Sequence, residues 1–189
     1  AQELQLVRRT CGALGVPLEA GALGPGELAA NRGGRSLEEL AREARYRFLQ
    51  ETAERLDFSY IALGHTADDQ AETLIMRFFQ GAGPGGLSGI PARRGRIIRP
   101  LLECTRAQLR QWLAERGLEY CLDSSNLDTA HLRNAVRLKL LPVLQEIFPG
   151  YRRSLAALAA EMRELECLLE SEARRRLPWR RAGEGFTVE

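Results

Sequence analysis

The sequence has no run of roughly 18 uninterrupted apolar residues, the length a membrane-spanning helix needs. It also lacks, at its N-terminus, the basic-then-apolar stretch of an export signal. Both absences point to the cytoplasm. Cysteine is sparse: Cys11, Cys104, Cys121 and Cys167 lie far apart and form no CxxC pair, which excludes a zinc knuckle and a redox dithiol. They read as reduced thiols. Cys11 and Cys167 occupy apolar positions of helical patterns as core filler, while Cys121 lies close to a polar cluster. Lysine is nearly missing, Lys139 being the only one, so the basic charge is almost all arginine, whose planar fork suits phosphate and base recognition.

With 189 residues, 44% of them hydrophobic, the chain can bury a core for one domain and a small appendage. Up to Pro91 it carries 9 basic and 12 acidic residues, and after it 18 and 13, so an anion-seeking face belongs to the second half. Apolar residues at helical spacing predict a helix over Gln2 to Gly15, followed by a short strand at Val16 to Ala20 and a mobile glycine- and alanine-rich loop over Gly21 to Gly34. Ser36 with Glu39 has the form of a capping box. Leu37, Leu40, Ala41, Ala44, Phe48 and Leu49 continue it as a buried stripe reaching about Leu56. Phe58 to Leu63 reads as a buried parallel strand and Ala67 to Phe79 as a helix with Ala71, Leu74, Ile75 and Phe78 inward. Ile97-Ile98 is a short strand, and Thr105 with Gln108 caps a further helix to about Arg116. Helices follow at Ala130 to Leu141, Leu144 to Phe148 and Arg152 to Arg176, with Gly185 to Glu189 a strand or a tail. The rhythm is α/β: an open, mostly parallel sheet flanked by helices, with a boundary near Pro149 and a C-terminal helical appendage after it.

In such sheets ligands collect where strands end, and His65 to Glu72 sits at that edge. His65, Asp69 and Glu72 fall at i, i+4 and i+7, which puts an imidazole and two carboxylates on one helical face, able to hold an ammonium, coordinate magnesium or move a proton. Asp68 reads as a first-turn acid that only favours the helix dipole. Gly81 to Gly86 formally fits GxGxxG but follows a helix and contains Pro84, so it is no dinucleotide loop; mobility is the expectation there.

The string GHTADDQAET, Gly64 to Thr73, is similar to the GHxxDDxxET signature of the ATP pyrophosphatase superfamily. LAREARYRFL at Leu40 to Leu49, IRPLL at Ile98 to Leu102, then Asp123, Ser125-Asn126 and Arg133-Asn134 with Arg137 follow in order. Together they resemble the tRNA(Ile)-lysidine synthetase family over about Leu40 to Pro149. The resemblance implies an adenine nucleotide alpha hydrolase-like fold, a catalytic domain over 1–149 and a helical linker over 150–189. It implies a two-step reaction with ATP and Mg2+: adenylation of the C2 oxygen of the wobble cytidine in a CAU anticodon, then displacement of AMP by the amine of free L-lysine. Asp69 and Glu72 would recognise or deprotonate that amine, with His65 beside them, and Arg45 would hold the cytidine or stabilise developing negative charge. Asn126, Arg133 and Arg137 would line the far side, and Arg93, Arg94, Arg96 and Arg99 would track RNA backbone. A homodimer follows by family analogy.

The family's SGGxDS nucleotide loop is absent, so the chain is expected to be a fragment with little or no activity alone. Rival readings are a tRNA thiolation enzyme, disfavoured by the lack of CxxC, a small-metabolite ATP pyrophosphatase, and a catalytically silent RNA-binding module.

Overall fold

The structure is a computed structural model and describes residues 2–24, 26–27, 34–121, 129, 131–177, 179–182 and 185–188. It divides into two compact units. The first comprises Ala1–Leu63, Arg93–Pro100 and Gln111–Cys121, and the second Gly64–Ala92, Leu101–Arg110 and Leu122–Glu189.

In the first unit, α1 (Gln2–Leu14) stops at Gly15, whose φ of +65° only glycine adopts without strain. The N–H of Val16 donates back to the Cys11 carbonyl at 2.9 Å, closing the helix end. The predicted strand at Val16 to Ala20 does not form: no described segment pairs with it, and a strand without a ladder leaves its backbone groups to water. α2 (Leu37–Arg55) starts at the predicted box, with the Ser36 N–H donating to Glu39 Oε2 at 2.9 Å and the Glu39 N–H to Ser36 Oγ at 3.2 Å. Leu40 is buried, Ala41, Ala44, Phe48 and Leu49 are half-buried, and Leu37 is exposed. The helix ends through Asp57 at φ +54°, with Phe58 N–H donating to Ala53 O at 2.8 Å.

β1 (Ile61–Ala62) runs parallel to β3 (Ile97–Ile98), with Ile61 opposite Ile97. β2 (Arg93–Arg94) pairs antiparallel with β3 across a tight turn at Gly95, φ +60°. The order is β1-β3-β2, a small mixed sheet. The predicted strand at Phe58 to Leu63 shrinks to its centre, where Ile61 is buried while Phe58 and Tyr60 are exposed.

The second unit is helical. α3 (Ala67–Phe79) buries Ala71, Leu74 and Ile75; Phe78, expected inward, is exposed and stacks edge-on against Phe79. α4 (Pro84–Leu87) is a single turn. α5 (Arg106–Glu115) begins at the predicted cap, with Thr105 N–H donating to Gln108 Oε1 at 2.8 Å and Gln108 N–H to Thr105 Oγ at 3.1 Å. It runs from the second unit into residues of the first. α6 (Leu132–Ala135) continues through a π-helical turn, Val136–Leu140, into α7 (Leu141–Ile147). α8 (Tyr151–Arg176) is followed by an antiparallel hairpin of β4 (Trp179–Ala182) and β5 (Gly185–Val188). The core joins Ala71 and Ile75 of α3 to Val136, Leu141 and Tyr151, flanked by Met76, Leu140, Leu144 and Leu155.

α8 therefore packs within the second unit, and its Ala159 is fully buried, so the expected break near Pro149 is not where the compact units divide. The glycine-rich connection, expected to be mobile, is pinned by three side chains from two helices. Arg77 Nη1 donates to the carbonyls of Gly86 and Gly89 at 2.8 and 3.1 Å, Arg163 Nη1 to Ser88 O at 2.8 Å, and the Gln70 amide exchanges two bonds with the Ile90 backbone. Cys167, expected in the core, is exposed on α8, and no cysteine is buried, although all four are free thiols as predicted. Among the described residues no helix is long and apolar enough to cross a membrane.

Candidate functional site

The N-terminus of α3 follows β1 by four residues, and Thr66 caps it. Asp69 closes a second reading of the capping-box grammar: its Oδ2 accepts from the Thr66 N–H and hydroxyl, each at 2.8 Å, and the Asp69 N–H donates to Thr66 Oγ at 3.4 Å. Thr66→Ala is expected to lower unfolding stability by about 1 kcal/mol, read as a shift of the urea midpoint. An unshifted midpoint would show that the arginines described next hold Asp69 and the helix start without the cap.

Asp68, read from sequence as a dipole residue only, is a buried tie between three helices. Its Oδ2 accepts the backbone N–H of Arg106, an otherwise orphaned donor at the start of α5, at 2.7 Å, and its Oδ1 pairs with Arg152 Nη2 at 3.2 Å. One turn on, Glu72 is fully buried at 0% exposure and is met by three guanidiniums. Its Oε1 accepts from Arg106 Nη1 at 2.8 Å and Arg137 Nε at 2.7 Å; its Oε2 accepts from Arg133 Nε at 2.7 Å and Arg137 Nη2 at 3.1 Å. The free oxygen of Asp69, Oδ1, accepts from Arg106 Nη2 at 2.6 Å and Arg133 Nη2 at 3.2 Å. Arg133 and Arg137 stand one turn apart, and the π-helical turn at Val136–Leu140 contains Arg137.

Burial pushes the Glu72 carboxyl up, but the hydrogen bonds from Arg137, Arg106 and Arg133 outweigh it and hold its pKa at about 2. Burial likewise works against charge on Arg106, and the Glu72 hydrogen bond with the charges of Glu72, Asp69 and Asp68 raises it instead. The phenol of Tyr151 is raised by burial, and its hydroxyl has no hydrogen-bond partner among the described residues. Among the described residues Asp68, Asp69 and Glu72 face Arg106, Arg133, Arg137 and Arg152, three carboxylates to four guanidiniums.

Of the residues singled out from sequence, Asp69, Glu72, Arg133 and Arg137 come together. His65 does not align with them: it precedes the cap, outside the helix, so only Asp69 and Glu72 share the face. The expectation that Glu72 helps deprotonate an amine does not fit its geometry, since all four lone-pair positions are taken and a carboxylate titrating at about 2 is a poor base at neutral pH. Asn126, with Asp123 and Ser125, lies outside the described residues. Arg45 is exposed on α2 of the first unit, as are Arg93 and Arg94 on its sheet. Arg96 donates to the Phe58 and Ser59 carbonyls, and Arg99 is 7% exposed, too buried to follow an RNA backbone.

Sequence reading missed Arg106 and Arg152. Both occupy the first turn of a helix, α5 and α8, where the macrodipole disfavours a cation. An arginine placed against the dipole signals a carboxylate partner elsewhere, and Asp68, Asp69 and Glu72 are those partners.

Comparison with known proteins places residues 1–144 in the family model of the PP-loop domain. The chain is 43% identical over 139 residues to the tRNA(Ile)-lysidine synthase of Borrelia garinii, covering 74% of this chain and 32% of that protein. The same enzyme from Parabacteroides distasonis is 42% identical over 70% of this chain and 30% of its own length, and that of a Thermotoga species 35% identical over 78% and 36%. The chain thus spans about a third of the length of the curated relatives it matches. Among solved structures, the U34-tRNA thiolase NcsA from Methanococcus maripaludis with its [4Fe-4S] cluster matches with a TM-score of 0.57 at 15% identity, over 86% of this chain and 56% of that one, a likeness of fold.

Proposed function

The chain belongs to the PP-loop domain family, and from that premise we propose that it works as a tRNA(Ile)-lysidine synthetase. The observation that carries the reading is the convergence of two motifs 61 residues apart, DD-x-x-E and RN-x-x-R, on the single carboxylate of Glu72. The named relatives support the same conclusion.

In this reading ATP transfers its adenylyl group to the C2 oxygen of the wobble cytidine of a CAU anticodon and releases pyrophosphate. The amine of free L-lysine then attacks C2, loses a proton and displaces AMP. Asp69 receives the lysine ammonium, Glu72 anchors the arginines, and Arg133 and Arg137 offset negative charge on phosphate or base. His65, Asn126 and Arg45 complete the substrate contacts, and the exposed Arg93, Arg94 and Arg96 meet the tRNA backbone. The partly exposed guanidiniums of Arg106 and Arg133 fit the phosphates of ATP. Magnesium does not fit the carboxylates as arranged, because their oxygens are held by arginine and no group of three metal-ligating side chains occurs among the described residues. The reading carries with it an open, mostly parallel sheet, of which the described strands β1, β3 and β2 supply one parallel and one antiparallel pair, a catalytic region over 1–149 leading into the helix α8, a cytoplasmic location and a homodimer.

The test is transfer of labelled lysine to a CAU-anticodon tRNA with ATP, by the chain as it stands and by the chain joined at Ala1 to a segment carrying SGGxDS. Incorporation that requires that segment is the expected result. In the active protein, Asp69→Asn is expected to lower incorporation on the order of a hundredfold while tRNA binding persists. Sulfur transfer in place of lysine would move the assignment to thiolation, and indifference to Asp69→Asn would leave a binding module.

A further inference from the structure

Asp69 and Glu72 are closed to a cation in the arrangement described above. A carboxylate offers about four lone-pair positions, and each of the two has four filled: Glu72 by Arg106, Arg133 and twice by Arg137, Asp69 by Arg106, Arg133 and the two Thr66 donors. The charge is adverse as well, since among the described residues three guanidiniums face these two carboxylates. An incoming ammonium meets more guanidiniums than carboxylates among the described residues and no vacant acceptor on either carboxylate. Protonation cannot open the knot near neutrality, because Glu72 titrates at about 2.

Exchange of partners can open it. The Arg106 side chain is 27% exposed and that of Arg133 35%. Arg106 Nε and Arg133 Nη1 have no acceptor among the described residues, so each guanidinium has an edge available to an oxyanion. Arg106 is a member whose departure frees both carboxylates at once, and unlike Arg133 it has no side-chain bond to the α3 backbone. It reaches both carboxylates by one bond each from the start of α5, whereas Arg137 grips Glu72 with two nitrogens. Removing Arg106 takes one positive charge from the group and frees one acceptor position on each carboxylate.

We propose that Arg106 is a positioning residue that masks the Asp69–Glu72 pair, and that a phosphate-type oxyanion drawing Arg106 away is what admits an ammonium, so the site fills anion first and cation second. This rests on the reading above in taking L-lysine as the cation. The coupling is reciprocal: lysine tightens the anion as much as the anion tightens lysine.

The experiment is calorimetric titration of the full chain with L-lysine and, separately, with n-butylammonium, at fixed ionic strength, each with and without inorganic pyrophosphate or a single-stranded oligoribonucleotide. Lysine affinity is expected to rise roughly tenfold with an oxyanion present, and in Arg106→Met to be high already and indifferent to it. A response to pyrophosphate alone assigns the oxyanion to a nucleotide, and a response to the oligoribonucleotide alone to the RNA backbone; both uphold the mask. Equal gating of butylammonium and lysine upholds the mask while removing the support for lysine as substrate. Cation affinity unchanged by either oxyanion in the unsubstituted chain, or no cation binding under any condition, overturns the proposal whether or not the Met variant folds.

Discussion

Glu72→Gln is expected to lower the unfolding free energy by about 3–5 kcal/mol, the cost of leaving partners of a buried ion pair uncompensated. The amide keeps the volume of the side chain, so a cavity contributes nothing. What changes is charge: Arg106, Arg133 and Arg137 converge on this one residue, and without its carboxylate Arg106 and Arg133 keep Asp69 as their shared anion while Arg137 loses both of its short bonds to Glu72. Because those arginines arrive on α5, α6 and the π-helical turn, the loss loosens the packing of three segments against α3 at once. Urea unfolding of the two proteins at neutral pH measures it. A difference under about 1 kcal/mol, the scale of an exposed pair, would mean that solvent already screens the cluster and that Glu72 is not its hub.

Acid should reproduce much of that loss in the unsubstituted protein. Glu72 titrates at about 2 in the folded state against an ordinary 4.5, so the folded chain holds the ionised form more strongly than the unfolded chain does. The contribution, about 3 kcal/mol by linkage, is fully present above pH 4.5 and declines as pH falls through about 2. Urea midpoints taken at pH 6, 4.5 and 3 are expected to fall toward acid in the unsubstituted chain, with a shallower fall in Glu72→Gln. Parallel profiles would assign the acid sensitivity to other carboxylates.

Local grammar was legible wherever a few adjacent residues decide the outcome. Ser36 with Glu39 and Thr105 with Gln108 form the caps their spacing predicts, and Gly15 ends α1 where the apolar period stops. Thr66 with Asp69 has the same form, yet the carboxylate invited a chemical reading first; it serves as cap and ion-pair partner together. Reading failed where the outcome depends on what lies across from a segment. Val16 to Ala20 has a strand's composition and no ladder partner among the described residues. The glycines of 81–89 suggest mobility, but Gln70, Arg77 and Arg163 fasten that turn from two helices. Cys167 keeps an apolar spacing on a helix that buries another side.

The sequence by itself determined the family, through GHTADDQAET and RN-x-x-R in their order, along with the helix starts and the surplus of arginine in the second half. A motif is a string and needs no partner to be recognised. The tertiary structure alone decided what the motif's charges do. Folding brings Arg106, Arg133, Arg137 and Arg152 from distant helices onto Asp68, Asp69 and Glu72, turning a carboxylate that reads as a base into a buried anchor. The physical reason is that a carboxyl group's role is set by its neighbours in space, through burial and opposing charge, and side chains separated by up to 84 residues become neighbours only when the helices pack.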